Sequence, residues 1–193
     1  MSIQKYITLS DVDHNLGNDG NMPGIIPSLI YGYHEDVATW PDEPNGTVTP
    51  VTLDAAGILT GDVIMKPGTR AYMLDFTEDV GSFKMATAGE IDSVHWKYEL
   101  DIIKDKIQKT ILGFANAAAS RKMFFIVSDE NGTNYLMGNK RRGASMAGGD
   151  GATTGAGSGD RNQISLKFEF RTRKALVYEG DVEDILVTVP VTP

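Results

Sequence analysis

The chain has 193 residues, 41% hydrophobic and 23% charged, enough for one domain with a real core or one domain with long excursions. Its formal net charge of -8 disfavours general nucleic-acid binding, because phosphate neutralisation needs a basic face. The absence of cysteine excludes disulfides, thiolate nucleophiles and thiolate metal sites, and suits a reducing cytoplasm.

In chain order, Met1 to Ser10 carries one lysine and no apolar core, so no secretory signal is expected. No apolar run reaches the ~20 residues of a membrane span. Residues 11–28 are dense in Asp, Asn, Gly and Pro and predict a loop. Leu29 to Tyr33 predicts a short strand, and Trp40 to Pro50 a second loop. Gly61 to Lys66 and Arg70 to Phe76 flank Pro67-Gly68-Thr69, where proline sets φ and glycine accepts a positive one, so a hairpin is predicted. A turn at Asp79-Val80-Gly81 leads to a strand from Ser82 to Thr87.

From Val94 to Ile102 the residues alternate: Val94, Trp96, Tyr98, Leu100 and Ile102 share one face, His95, Lys97, Glu99 and Asp101 the other. The period then lengthens. Ile103, Ile107, Ile111, Phe114 and Ala118 fall at helical spacing, predicting an amphipathic helix from Ile103 to Ser120 that lays this stripe across a sheet. Met123 to Ser128 is a continuous apolar strand, turned through Asp129-Glu130-Asn131-Gly132 into Thr133 to Gly138. Strands Gln163 to Arg171 and Ala175 to Tyr178 follow, then a last apolar run from Ile185 to Val189. This order predicts an α+β fold in a single domain, 1–193. It is mainly an antiparallel β-sheet, a barrel-like sandwich with one amphipathic helix packed on it and long loops.

Between the strands lies a low-bulk segment, Gly143 to Gly159, in which seven of 17 residues are glycine: Gly143, Gly148, Gly149, Gly151, Gly155, Gly157 and Gly159. The basic cluster Lys140, Arg141 and Arg142 precedes it and Arg161 follows. Such a stretch buries too little apolar surface to offset its ordering entropy, so it is expected to be mobile in an isolated chain. Two readings stay open: a flexible linker, or an assembly arm that orders against a neighbouring subunit. On the second, deleting Gly143 to Gly159 leaves a folded monomer that fails to assemble. Basic runs at Lys140 to Arg142 and Arg171 to Lys174, with acidic runs at Asp36 to Glu43 and Glu179 to Asp184, suit head-to-tail association as well as an ordinary solvated surface.

Catalytic patterns are wanting, so no enzyme is expected and no cofactor is implied. Asp11-x-Asp13-x-Asn15-x-Gly17 resembles the opening of a calcium loop, but Leu16 and Met22 stand where such a loop needs glycine and glutamate. Asp11, Asp13 and Asn15 are therefore a weak metal candidate against a solvated turn. His14, His34 and His95 are scattered without zinc spacing or a partner for general-base work. Ser158 lacks the strand-turn-helix setting of a nucleophile elbow, and the glycine segment lacks the lysine and following helix of a phosphate loop.

The order strand Val94 to Ile102, helix Ile103 to Ser120, hairpin Met123 to Gly138 and then a glycine-rich stretch resembles tail tube (major tail) proteins of tailed bacteriophages and the related inner-tube proteins of contractile injection systems. The resemblance covers somewhat under half the chain. It implies a virion structural protein, assembled in the host bacterial cytoplasm, whose subunits form hexameric rings. The rings would stack into a channel through which DNA passes without specific binding or membrane contact, beside other tail or neck proteins. The long proline-rich first 60 residues depart from a minimal tube subunit, which keeps a tail hub, terminator, connector or head-decoration protein as alternatives. A monomeric calcium-binding module is a further alternative.

Overall fold

Alternating apolar residues become strands buried on one face, and the unbroken apolar run becomes a strand buried on both. The computed structural model describes residues 7–12, 21–44, 50–149, 151–157 and 159–190. The first strands are β1 (Ile7–Thr8), β2 (Ser28–Tyr33), β3 (Val37–Thr39) and β4 (Val51–Thr52), followed by a one-turn helix α1 (Leu53–Ala56). Next come β5 (Ile58–Leu59), β6 (Ile64–Met65), β7 (Tyr72–Asp75), β8 (Ser82–Ala88) and β9 (His95–Asp105). The main helix α2 (Lys109–Ser120) leads to β10 (Met123–Ser128) and β11 (Asn134–Asn139). Short strands β12 (Arg142–Gly143), β13 (Ser145–Met146) and β14 (Gly151–Thr153) precede β15 (Gln163–Thr172) and β16 (Val177–Tyr178).

Two sheets form a sandwich. One has the order β5-β16-β11-β10-β2-β7, with β12 on β11; the other has the order β13-β15-β9-β8, with β14 also on β15. Most pairings are antiparallel, and the fold is α+β and mainly β, as the sequence predicts. Phe125 and Phe168 meet between the sheets with ring centroids 4.6 Å apart. Around them lie Tyr98, Leu100, Ile102, Leu166 and Phe170 from one sheet and Leu29, Met123 and Val127 from the other.

Every residue of β10 from Met123 to Val127 is buried. Its odd-numbered side chains enter the sandwich core, while Phe124 and Ile126 enter a second core on the sheet's other face. Val63, Met65, Ala71, Leu176, Tyr178 and Ile185 close that second core. A strand covered on both faces has no polar side to alternate with, which is why its sequence runs unbroken. At ~1.5–3 kcal/mol for each large side chain fully buried, it is the strand on which both cores depend.

Three expectations need correction. The segments around Pro67-Gly68-Thr69 do not pair with each other, although Thr69 N–H donates to Lys66 C=O across the turn at 3.0 Å. β6 pairs with β3 while β7 pairs with β2, so the turn hands the chain from the second core to the sandwich. The helix starts at Lys109, not Ile103. β9 continues to Asp105, with Ile103 opposite Ser165 and Asp105 opposite Gln163, and Lys106 at φ 64° breaks the strand. Ile103 and Ile107 are therefore not helix-packing residues, whereas Ile111 and Phe114 are, with Phe114 meeting Tyr31 edge-on at 4.9 Å. Lastly, the Ile185 to Val189 run forms a 3-10 turn over Asp184–Leu186.

Candidate functional site

The glycine-rich segment is mostly laid along the chain's own β15, contrary to its expected mobility. Ser145 and Met146 pair with Glu169 and Phe168, and Gly151 to Thr153 pair with Ser165 to Gln163. Between them Ala147 N–H donates to Lys167 C=O at 2.8 Å and Lys167 N–H to Gly148 C=O at 3.0 Å. The register slips by two residues across this stretch, which is a bulge, and Gly148, Gly149 and Gly151 take φ of 98°, 142° and 70°. A Cβ on Gly149 would stand 2.8 Å from Ser165 C=O. Here glycine serves a bulge and a close backbone approach more than mobility.

The start of the segment also joins the two sheets. Gly143 pairs with Gly138 on β11, and Ala144, fully buried, exchanges hydrogen bonds with Met123 at the head of β10. At the next residue, Ser145, the chain is on β15. Deleting Gly143 to Gly159 would thus remove this link and both strands on β15, so loss of the fold is expected in place of a folded monomer.

What remains is the tip, residues 154–157 and 159–162, exposed except for half-buried Gly155. Asp160 latches it, one carboxylate oxygen accepting the N–H groups of Ala156 and Gly157, each at 2.8 Å. Those N–H donors hold the Asp160 carboxyl below its usual range. Asn162 ties the tip to the β9–α2 connection, accepting Ile107 N–H at 3.0 Å. Gly155, Gly157, Gly159 and Arg161 belong to this tip.

The two basic runs, separate in sequence, converge at one end of the sandwich. Lys140, Arg141 and Arg142 follow β11, and Arg171 and Arg173 stand at the end of β15; all five line one groove of about 520 Å³ with Asp42, Glu43 and His95. An adjoining groove of about 580 Å³ shares Arg141, Arg142 and Arg171 and adds His34 and Lys122. Among the described residues, none of these five cations has a carboxylate within ion-pair distance. The acidic run Asp36 to Glu43 reaches this same end, so it cannot be the opposite pole of a head-to-tail contact. Sequence reasoning noted both basic runs but had no signal that β11 and β15 end side by side.

The outer face of the five-stranded sheet carries a charged ladder. Like charges stand directly opposite across β9 and β15, Glu99 facing Glu169 and Lys97 facing Arg171. Same-strand and diagonal pairs resolve the conflict: Lys97 reaches Glu99 along β9 and Glu169 across to β15, each at 2.6 Å, and Lys167 reaches Glu99 diagonally at 3.5 Å. Glu169 and then Glu99 raise the Lys97 pKa, and Lys97 in turn holds Glu99 below its usual value.

Asp13, Asn15, His14 and Ser158 lie outside the described residues, and Asp11 is exposed beyond β1. Among the described residues no group of three or more His, Asp or Glu converges as a metal cage, and no helix is long and apolar enough to cross a membrane. His34 is stacked on Trp40 at 4.8 Å, with Nε2 2.8 Å from Asn139 C=O. His95 stands at the groove rim.

Compared with known proteins, the chain matches no family model, no curated protein and no solved structure.

Proposed function

We propose that this chain is a non-enzymatic virion structural protein, a tail tube subunit that self-assembles into stacked rings around a channel for DNA. The observation that carries the reading is the five-stranded antiparallel sheet with a polar outer face and β8 as an open edge. Along Ser82–Ala88 the backbone groups that face away from β9 have no strand partner among the described residues, which is what a neighbouring subunit's sheet needs in order to continue it. The ladder on the sheet suits a channel wall, because Lys97 and Lys167 already have carboxylate partners and offer DNA little counterion release. The tip takes the role of the assembly arm, in place of the whole glycine-rich segment.

Deleting 154–159 tests this, since the cut spares β13, β14 and β15. Sedimentation velocity is expected to show large assemblies for the full chain and folded small species for the deletion. A deletion variant that assembles like the full chain would remove the tip from the mechanism.

A further inference from the structure

One end of the sandwich gathers unpaired cations around its grooves, and at the other end lies a carboxylate recess that neither Lys104 nor Lys106, at the same strand ends, lines. At one end stand Arg141, Arg142, Arg171 and Arg173, around two adjoining grooves. The other end is fixed by the same strands. β9 and β15 run from the pair Trp96–Thr172 beside the basic grooves to the pair Asp105–Gln163, roughly 30 Å away at ~3.3 Å per residue. Thr77 is bound there, its N–H donating to Ile103 C=O at 3.0 Å and its hydroxyl accepting Asp105 N–H at 2.9 Å. Glu78 and Asp79 follow it directly. The β10–β11 turn brings Glu130 to the same place, because β10 starts at the basic end with Met123 and finishes here with Ser128. Glu78, Asp79 and Glu130 line a single recess of about 440 Å³ that no Lys or Arg lines. None of the three is in an ion pair among the described residues.

We propose that the Arg141–Arg173 end of one copy docks onto the Glu78–Glu130 end of a second copy, so that subunits associate head to tail along the strand direction. Charge complementarity selects this occupant. The cations are bare on a chain of net charge -8, and the same chain offers a carboxylate recess, free of cations, at its far end. A head-to-tail contact joins two different patches, so it repeats without closing on itself. The stacking axis then lies along β9 and β15. The proposal rests on the self-assembly reading above and adds the residues that join successive layers.

Reciprocal charge reversal tests it on the full chain. Arg141→Glu/Arg142→Glu reverses the charge contributed by two groove cations; Glu78→Lys/Glu130→Lys reverses that of two recess carboxylates. All four positions are exposed, so folding is expected to survive, and circular dichroism checks that. Either variant alone is expected to lose end-to-end association, roughly tenfold or more in its constant at low salt, while an equimolar mixture regains it by alternating the two. Added salt weakens the wild-type contact as screening shortens its range.

Electron microscopy separates this contact from ring closure. Unstacked rings from each variant and tubes from the mixture support the proposal. Tubes from either variant alone overturn it and leave the tube reading standing. A wild-type chain that stays monomeric at millimolar concentration in low salt overturns both. Retention of a short DNA duplex by wild-type monomer, lost in Arg141→Glu/Arg142→Glu, assigns the basic end to nucleic acid and overturns the proposal.

Discussion

Tyr178 shows how a single polar atom holds the second core together. Its ring is buried, and its hydroxyl accepts Val63 N–H at 3.1 Å while donating to Asp181 C=O at 3.2 Å. Burial pushes the phenol pKa above its usual value, so it stays a neutral donor. Tyr178→Phe strands the Val63 N–H and is expected to cost about 1–3 kcal/mol, read as a lower denaturant midpoint at unchanged slope.

The ladder residues set a pH window. Glu99 has a depressed pKa, so its stabilisation is present above the ordinary 4.5 and is lost as pH falls through the lower folded value. Lys97 has a raised pKa, so its stabilisation is present below 10.5 and is lost as pH rises through the higher folded value. Thermal melts are expected to be flat between these limits as far as this pair decides. Lys97→Met should weaken both the acid and alkaline dependence, and unchanged dependence would show that the ladder contributes nothing.

Among the elements, the β9–α2 junction explains the misplaced helix start. Ile103 on the strand's outward face, Ile107 in the connection and Ile111 on the helix keep a four-residue spacing by coincidence. What decides the boundary is pairing: β15 is long enough to hold β9 through Asp105, a nonlocal fact that no local period encodes. Lys106 then turns the chain at positive φ. Lys106→Gly should relieve that strain and raise stability by about 0.5–1 kcal/mol, measured by denaturant unfolding. The glycine-rich tip has its own latch. Asp160→Ala should free the Ala156 and Gly157 amides to exchange faster while leaving β15 amides protected. Equal protection in both variants would mean the latch holds nothing.

For the whole molecule, the strands that alternate or run unbroken were legible from pattern alone, as β9, β10 and β15 show. The partners of short segments were not. The Pro67-Gly68-Thr69 turn was visible, but whether its flanks pair with each other or with β3 and β2 depends on burial on both faces of the β10 sheet. The glycine-rich segment misled in a different way, since its composition describes bulk and not register, and a bulge with close backbone approach needs the same glycines as a mobile chain. The convergence of the basic runs, and of Glu78 with Glu130, appears only once strand directions fix which ends coincide.

Self-assembly is the claim on which the functional account stands. Negative-stain electron microscopy of the full chain, across protein and salt concentration, tests it most directly. Rings or tubes with a central channel are expected; discrete monomers under every condition would contradict the account.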